Sequence, residues 1–265
     1  MADPINPLVC DLSHWNMADD YEAARRDGIV GVIYKATEGQ SYTDDTYVGQ
    51  QQAAKAARLC WGSYHFADAS DVGGQIDNYL RFAAPDPDEL FCLDWEDNPS
   101  GNGVMSKDDC KTWIIEVERA LRREGECVVY SGNTAKEALD DDVDTFFGSR
   151  RLWLCQYGTT PSWQRSWDNY WLWQFTDGEY GPEPHSISGV GECDINSYAG
   201  SAEQLVAEWA TGSADILPPA PAPHDPVVNI IIAASPGVIV KVRQTQFSTA
   251  YRQMLPDRRR EADVE

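Results

Sequence analysis

LFCLDWE, residues 90–96, is the stretch on which the fold turns: four apolar residues run straight into Asp94, Trp95 and Glu96. Such a short apolar run reads as a strand that carries acidic groups at its carboxyl end. Working outward, LVCDL (8–12), IVGVIYKA (29–36), CWGSYHF (60–66), CVVYSG (127–132) and RLWLCQY (151–157) read as further strands. Between them lie helical stretches at 21–28, 44–59, 72–84 and 106–125. The last is the clearest. Ser106 can cap it with Asp109 three residues on, Trp113, Val117 and Leu121 share one face, and Gly125 ends it. Strand–helix alternation predicts a parallel sheet, and over 265 residues an open or closed barrel. After residue 157 the alternation lapses into aromatic strands, WLWQF (171–175) and CDINSY (193–198), before a final helix at 201–210. The last third of the barrel is therefore expected to be irregular.

Composition narrows the function. The chain has 43 Asp and Glu against 21 Lys and Arg, a formal charge of −22. That balance repels nucleic acid and anionic membrane alike. A 42% hydrophobic fraction builds a large core and excludes wholesale disorder. Ten tryptophans in an acidic chain suggest stacking surfaces for sugar rings. The seven cysteines form no CxxC pair and several sit in apolar runs, so buried free thiols and synthesis in a reducing cytoplasm are expected. The first residues lack the basic and apolar regions of a Sec signal peptide. No apolar run reaches the roughly 20 residues of a membrane span. ILPPAPAPHDP (216–226), with five prolines, reads as an extended linker. Beyond it, VVNIIIAA and GVIVKV flank Ser-Pro-Gly as a β-hairpin would. Residues 227–265 carry six basic and four acidic side chains, so the negative charge belongs to the first 226 residues. A segment of about forty residues cannot bury its own core, so the hairpin is expected to dock on the barrel, a second copy or a partner.

Four acidic positions fall in or at the end of expected strands: Asp11, Asp94, Glu96 and Asp194. The carboxyl ends of parallel barrel strands gather at one mouth. An i, i+2 spacing puts Asp94 and Glu96 on one face, about 6.5–7 Å apart along the backbone. Two such carboxylates cannot ionise independently, so one pKa should rise. A neutral acid beside an anion is what glycoside hydrolysis requires. The plain alternative is that strand-end acids cap helices or face water.

Eight motifs add a resemblance. Asp-Leu-Ser-His-Trp-Asn (11–16), Lys-Ala-Thr-Glu-Gly (35–39), Gly-Ser-Tyr-His-Phe (62–66) and Leu-Asp-Trp-Glu (93–96) occur in the order seen in family 25 glycoside hydrolases. Val-Val-Tyr-Ser (128–131), Leu-Trp-Leu-Cys-Gln-Tyr (152–157), Trp-Gln-Phe-Thr (173–176) and Cys-Asp-Ile-Asn-Ser-Tyr (193–198) resemble the family's later strands. The likeness covers about residues 7–210. Leu12, Met17 and Phe175 depart from it without removing a carboxylate. It implies an irregular TIM-like (β/α)5β3 barrel over 1–212, a Pro/Ala-rich linker over 213–226 and a small hairpin segment over 227–265. It also implies a Chalaropsis-type lysozyme: an N-acetylmuramidase that cleaves peptidoglycan with retention, as phage endolysins do. Glu96 matches the general acid, Asp94 the second carboxylate, and Asp11 and Asp194 the acids flanking them. Asp94 either orients the substrate's own 2-acetamido group for attack or attacks directly.

Tyr64 and Tyr130 match positions lining the sugar site. Tyr34, Gln174 and Trp173 lie on strands expected to face the same mouth, each also readable as packed core. Trp15 and Trp95 are further candidates for stacking on sugars. No cofactor is implied. His14, His65 and Asp11 together suggest a zinc amidase as the rival chemistry, but their spacing fits no two-ligand motif. There is no GxSxG, and no cysteine has a recognisable basic partner. The expected partner is cell-wall peptidoglycan, reached after holin-type release or virion delivery, with the hairpin open to self-association or virion contact. A catalytically silent carbohydrate-binding or virion structural protein is the alternative that retention of all four acids disfavours.

Overall fold

The computed structural model describes residues 5–98 and 101–210. In chain order these form β1 (Pro7–Leu12), α1 (Tyr21–Arg26), β2 (Gly31–Glu38), β3 (Tyr42–Thr43), α2 (Tyr47–Ala56), β4 (Cys60–Phe66), α3 (Val72–Phe82) and β5 (Leu90–Asp94). There follow α4 (Lys107–Leu121), β6 (Val128–Ser131), α5 (Asn133–Leu139), α6 (Thr145–Gly148), β7 (Arg151–Cys155) and β8 (Leu172–Thr176). The chain continues through β9 (Ser186–Ile187), β10 (Gly191–Glu192), β11 (Asp194–Ser197) and α7 (Ala202–Trp209). The linker and hairpin expected at 213–226 and 227–265 lie outside the described residues.

Strands β1, β2, β4, β5, β6, β7 and β8 pair in parallel, each with the next. β11 runs antiparallel between β8 and β1 and closes the ring. The barrel is thus of the irregular kind the alternation and the family likeness predict. Its last third departs from βα repetition because no helix intervenes between β7 and β8 or between β8 and β11.

Apart from bulges in β1, β2 and β11, side chains alternate between two buried faces, which is why the strands read as continuous apolar runs. Cys10, Val32, Phe91, Leu93, Val129, Leu154 and Phe175 pack outward under the helices. Val9, Ile33, Leu90, Cys92, Val128 and Leu172 fill the interior. The amino-terminal end of the barrel is plugged by α7, whose Leu205, Val206 and Trp209 join that interior cluster. Helix α7 starts with a reciprocal capping box between Ser201 and Gln204. Gly31, at the start of β2, lets the plug in: a Cβ there would meet the Trp209 ring at 2.5 Å.

Helix α4 is capped by Ser106, which accepts from the Asp109 amide as expected, but it ends at Leu121 rather than at Gly125. Arg122 takes the left-handed conformation (φ 57°) and stops the helix one turn early. Gly125, also at positive φ, serves the turn into β6. Helices α5 and α6 lie in 133–148, a stretch whose acidic run hides its short apolar face. Asp144 caps α6 with two backbone hydrogen bonds.

Candidate active site

At the carboxyl-end mouth, Asp11, Tyr64, Asp94, Glu96, Tyr130, Trp153, Tyr157, Gln174 and Asp194 line a cleft of about 180 Å³. Each arrives by strand parity. In β5, Leu90, Cys92 and Asp94 point inward, and Glu96 follows two residues beyond the strand end. In β1 and β11, Asp11 stands directly opposite Asp194 across an antiparallel pair. Tyr130 is the in-register neighbour of both Asp94 and Trp153.

Two hydrogen-bond relays converge on Asp11. The Tyr130 hydroxyl donates to Gln174 Oε1 (2.9 Å), and Gln174 Nε2 donates to both Asp11 oxygens (3.0 Å each). From the other side, Trp153 Nε1 donates to Asn196 Oδ1 (2.5 Å), and Asn196 Nδ2 donates to Asp11 Oδ2 (2.7 Å). These donors favour the charged carboxylate, yet burial outweighs them and lifts Asp11 to about 6. Asp194 rises to about 9 through burial and the facing charge of Asp11. Glu96 rises to about 7, first by burial and then by the charge of Asp11. Asp94 is also driven well up by burial and by Glu96. Its Oδ1 is buried without a hydrogen-bond partner, an unsatisfied acceptor on a residue that lines the cleft.

One cation opposes the pile-up. Lys35, on the inward face of β2, draws both Asp94 and Glu96 back down. Its Nζ is held 2.5 Å from Glu38 Oε2, and Glu38 Oε1 accepts from Asn98 Nδ2 (2.9 Å). Four crowded carboxylates with raised proton affinity hold at least one proton at neutral pH. Such a cluster can donate a proton and stabilise a developing positive charge within one small cleft.

Of the residues singled out from sequence, Asp11, Asp94, Glu96, Asp194, Tyr64, Tyr130 and Gln174 meet in this cleft. Tyr34 and Trp173 do not, which corrects their placement among the sugar-site residues. Tyr34 shares the parity of Val32, lies against Trp61 (5.6 Å between centroids), and engages the Thr46 hydroxyl (2.8 Å). Trp173 points opposite to Gln174, under the helices, and donates to the Gln156 carbonyl (2.7 Å). Adjacent strand residues cannot share a face. Trp95 is likewise buried, donating to the Met105 carbonyl. The cleft instead receives Trp153 and Tyr157, with Asn196 bonded to Trp153 and Lys35 acting on Asp94 and Glu96. The period-two pattern Trp153, Cys155, Tyr157 carried that signal, as did Ile33–Lys35 in β2.

The histidines raised as zinc ligands have other partners. His65 is fully buried, with Thr37 Oγ1 at 2.7 Å from Nδ1 and Gln75 Oε1 at 3.0 Å from Nε2. His14 Nδ1 lies 3.0 Å from Asp44 Oδ2. Among the described residues, no group of three or more His, Cys, Asp or Glu side chains is arranged to hold a metal ion.

Residues 10–183 match Glycosyl hydrolases family 25. Lysozyme M1 of Streptomyces globisporus is 26% identical over 221 residues, 78% of this chain and 72% of that protein. The crystal structure of a bacterial lysozyme from Streptomyces coelicolor superposes with a TM-score of 0.63 at 25% identity, covering 76% of this chain and 95% of the other. A muramidase from Trichobolus zukalii gives 0.61 at 27% identity, covering 77% and 98%. The chain belongs to glycosyl hydrolase family 25 and is a glycosidase of lysozyme type.

Proposed function

We propose that the chain is an N-acetylmuramidase that hydrolyses the β-1,4 bond between N-acetylmuramic acid and N-acetylglucosamine with retention of configuration. The observation that carries this reading is the pairing of a Glu96 carboxyl raised to about 7 with the unpartnered Asp94 Oδ1 in the same cleft. Glu96 donates its proton to the glycosidic oxygen as the bond to the anomeric carbon breaks. The carbonyl oxygen of the muramoyl 2-acetamido group bonds to that carbon from the opposite face. Asp94 Oδ1 accepts the acetamide N–H and stabilises the positive charge that develops on it. Water then displaces the acetamide oxygen, giving its proton back to Glu96, and two inversions leave the original configuration.

The test is release of reducing ends from purified peptidoglycan by wild type and by Glu96→Gln. Muramic acid at the new terminus, formed first as the β-anomer and abolished in the variant, is the expected outcome. N-acetylglucosamine at the reducing end, or an α-anomer first, would overturn the assignment.

The reading extends to a phage endolysin made in the host cytoplasm and released onto the wall. All seven cysteines are free and five are buried, which suits a chain folded in a reducing compartment. Expression inside a bacterium with and without a co-expressed holin tests this. Lysis only with the holin is expected, and lysis without it would argue for another export route.

A further inference from the structure

Eight of the ten tryptophans are buried and Trp163 is half-buried, but Trp15 is 85% exposed. It follows β1 directly, so it stands on the rim that carries Asp11. Its turn is fastened. The Ser13 amide donates to Asn16 Oδ1 (2.9 Å), the Asn16 amide to the Ser13 carbonyl (3.1 Å), and the His14 amide to the buried Asp44 (3.0 Å). The His14 ring lies 4.5 Å from the Trp15 ring and 5.9 Å from the Tyr42 ring, and Tyr42 OH engages His14 Nδ1 at 2.9 Å. An aromatic surface held ready in this way costs little entropy when a ligand docks.

Tyr42 links this platform to two other features. Lys35 Nζ lies 5.3 Å from its ring centroid, which joins the platform to the Lys35–Glu38 pair beside the catalytic carboxylates. Tyr42 also lines a recess of about 300 Å³ with Glu38, Gln40, Ser41, Asp68 and Asn102. The rim therefore offers a flat apolar face, a polar recess next to it, and in Lys35 a side chain that acts on both the recess residue Glu38 and the cleft carboxyls. A pyranose ring needs that combination: its C–H face stacks on the indole while its hydroxyl and acetamido groups bond sideways. Asp68 makes the recess unfavourable for a ring bearing a lactyl or peptide carboxylate.

We propose that Trp15, His14 and Tyr42 with this recess form a distal subsite that takes a neutral N-acetylglucosamine-type ring of the same glycan strand. The subsite rests on the muramidase reading for its substrate and adds which ring is gripped away from the scissile bond.

The experiment uses full-length Glu96→Gln, which binds without turnover, titrated with chito-oligosaccharides of two to six rings. Tryptophan fluorescence reports the binding, since an exposed indole shifts to shorter wavelength when covered. Affinity should step up by about fivefold or more at the length that reaches the rim, roughly one kcal/mol or above. The step and the spectral shift should vanish in Glu96→Gln/Trp15→Ala and shrink in Glu96→Gln/Tyr42→Ala. Trp15 is exposed, so its removal leaves the core intact. Equal affinity at every length, or a step that survives Trp15→Ala, overturns the subsite, as does failure of all oligomers to bind. Reducing-end release by wild type on peptidoglycan reads the muramidase assignment separately.

Discussion

Glu96 and Asp94 differ in what surrounds them more than in what they are. Glu96 sits near 7 because burial and Asp11 raise it and Lys35 restrains it. The acid form needed for protonating a leaving oxygen is therefore present below about 7 and lost above it. Glu96→Gln should lower kcat by about 10²–10⁴-fold, the usual contribution of a positioned acid. Lys35→Met removes a cation that acts on both carboxyls, so Glu96 should hold its proton to higher pH. The alkaline limb of the kcat/KM profile should then move upward, and Lys35→Arg should leave it close to wild type. An unmoved limb in Lys35→Met would mean that the charge of Lys35 is spent on Glu38 alone.

At the scale of the element, parity does most of the work. Strand β8 sends Gln174 to Asp11 and Trp173 to the helices, and β2 sends Lys35 inward and Tyr34 outward. The DxE spacing was legible because it follows the same rule, as did Asp11 and Gln174. What parity cannot give is absolute facing: an apolar run buried on both sides looks alike read from either side, so Tyr34 and Trp173 were misplaced. The α7 plug offers a stability test. Trp209 is fully buried, donates to the Trp61 carbonyl (2.8 Å), and fills the space that Gly31 leaves. Trp209→Ala should cost about 3–5 kcal/mol in denaturant unfolding, the range for large aromatic deletions. Gly31→Val should be at least as damaging, because the clash is with a ring fixed on all sides.

At the scale of the whole molecule, closure brings residues 11 and 194 face to face, and the acids gathered there oppose folding at high pH. Asp11, Glu96 and Asp194 bind protons more tightly folded than unfolded, with folded values of about 6, 7 and 9 against ordinary values of 3.8, 4.5 and 3.8. The stability they contribute is full below about pH 4 and is lost as pH rises through those folded values. Asp27, Asp44, Asp68 and Asp144 are held low, and they add stability that is lost only in stronger acid. Thermal unfolding should therefore occur at higher temperature at pH 5.5 than at pH 8.5, and Glu96→Gln should narrow the gap. A Tm independent of pH over that range would contradict the proton count in the cleft. Ending the chain after residue 198 should abolish folding, because the barrel loses its plug. A chain of residues 1–212 should keep wall cleavage, because it holds the whole barrel and its plug. Loss of cleavage by 1–212 on soluble glycan would place the tail within the catalytic unit.

The order of strands and helices was readable from sequence because apolar runs and their punctuation are local properties. So were the positions of the four acids: Asp11, Asp94 and Glu96 sit where a strand runs out, and Asp194 where the antiparallel closing strand begins. The antiparallel closure by β11, the relays that hold Asp11, the cation at Lys35 and the exposure of Trp15 were settled only by tertiary structure. Each depends on which residues from distant strands come to lie side by side, and burial and charge coupling act across that distance in space, whatever the separation along the chain.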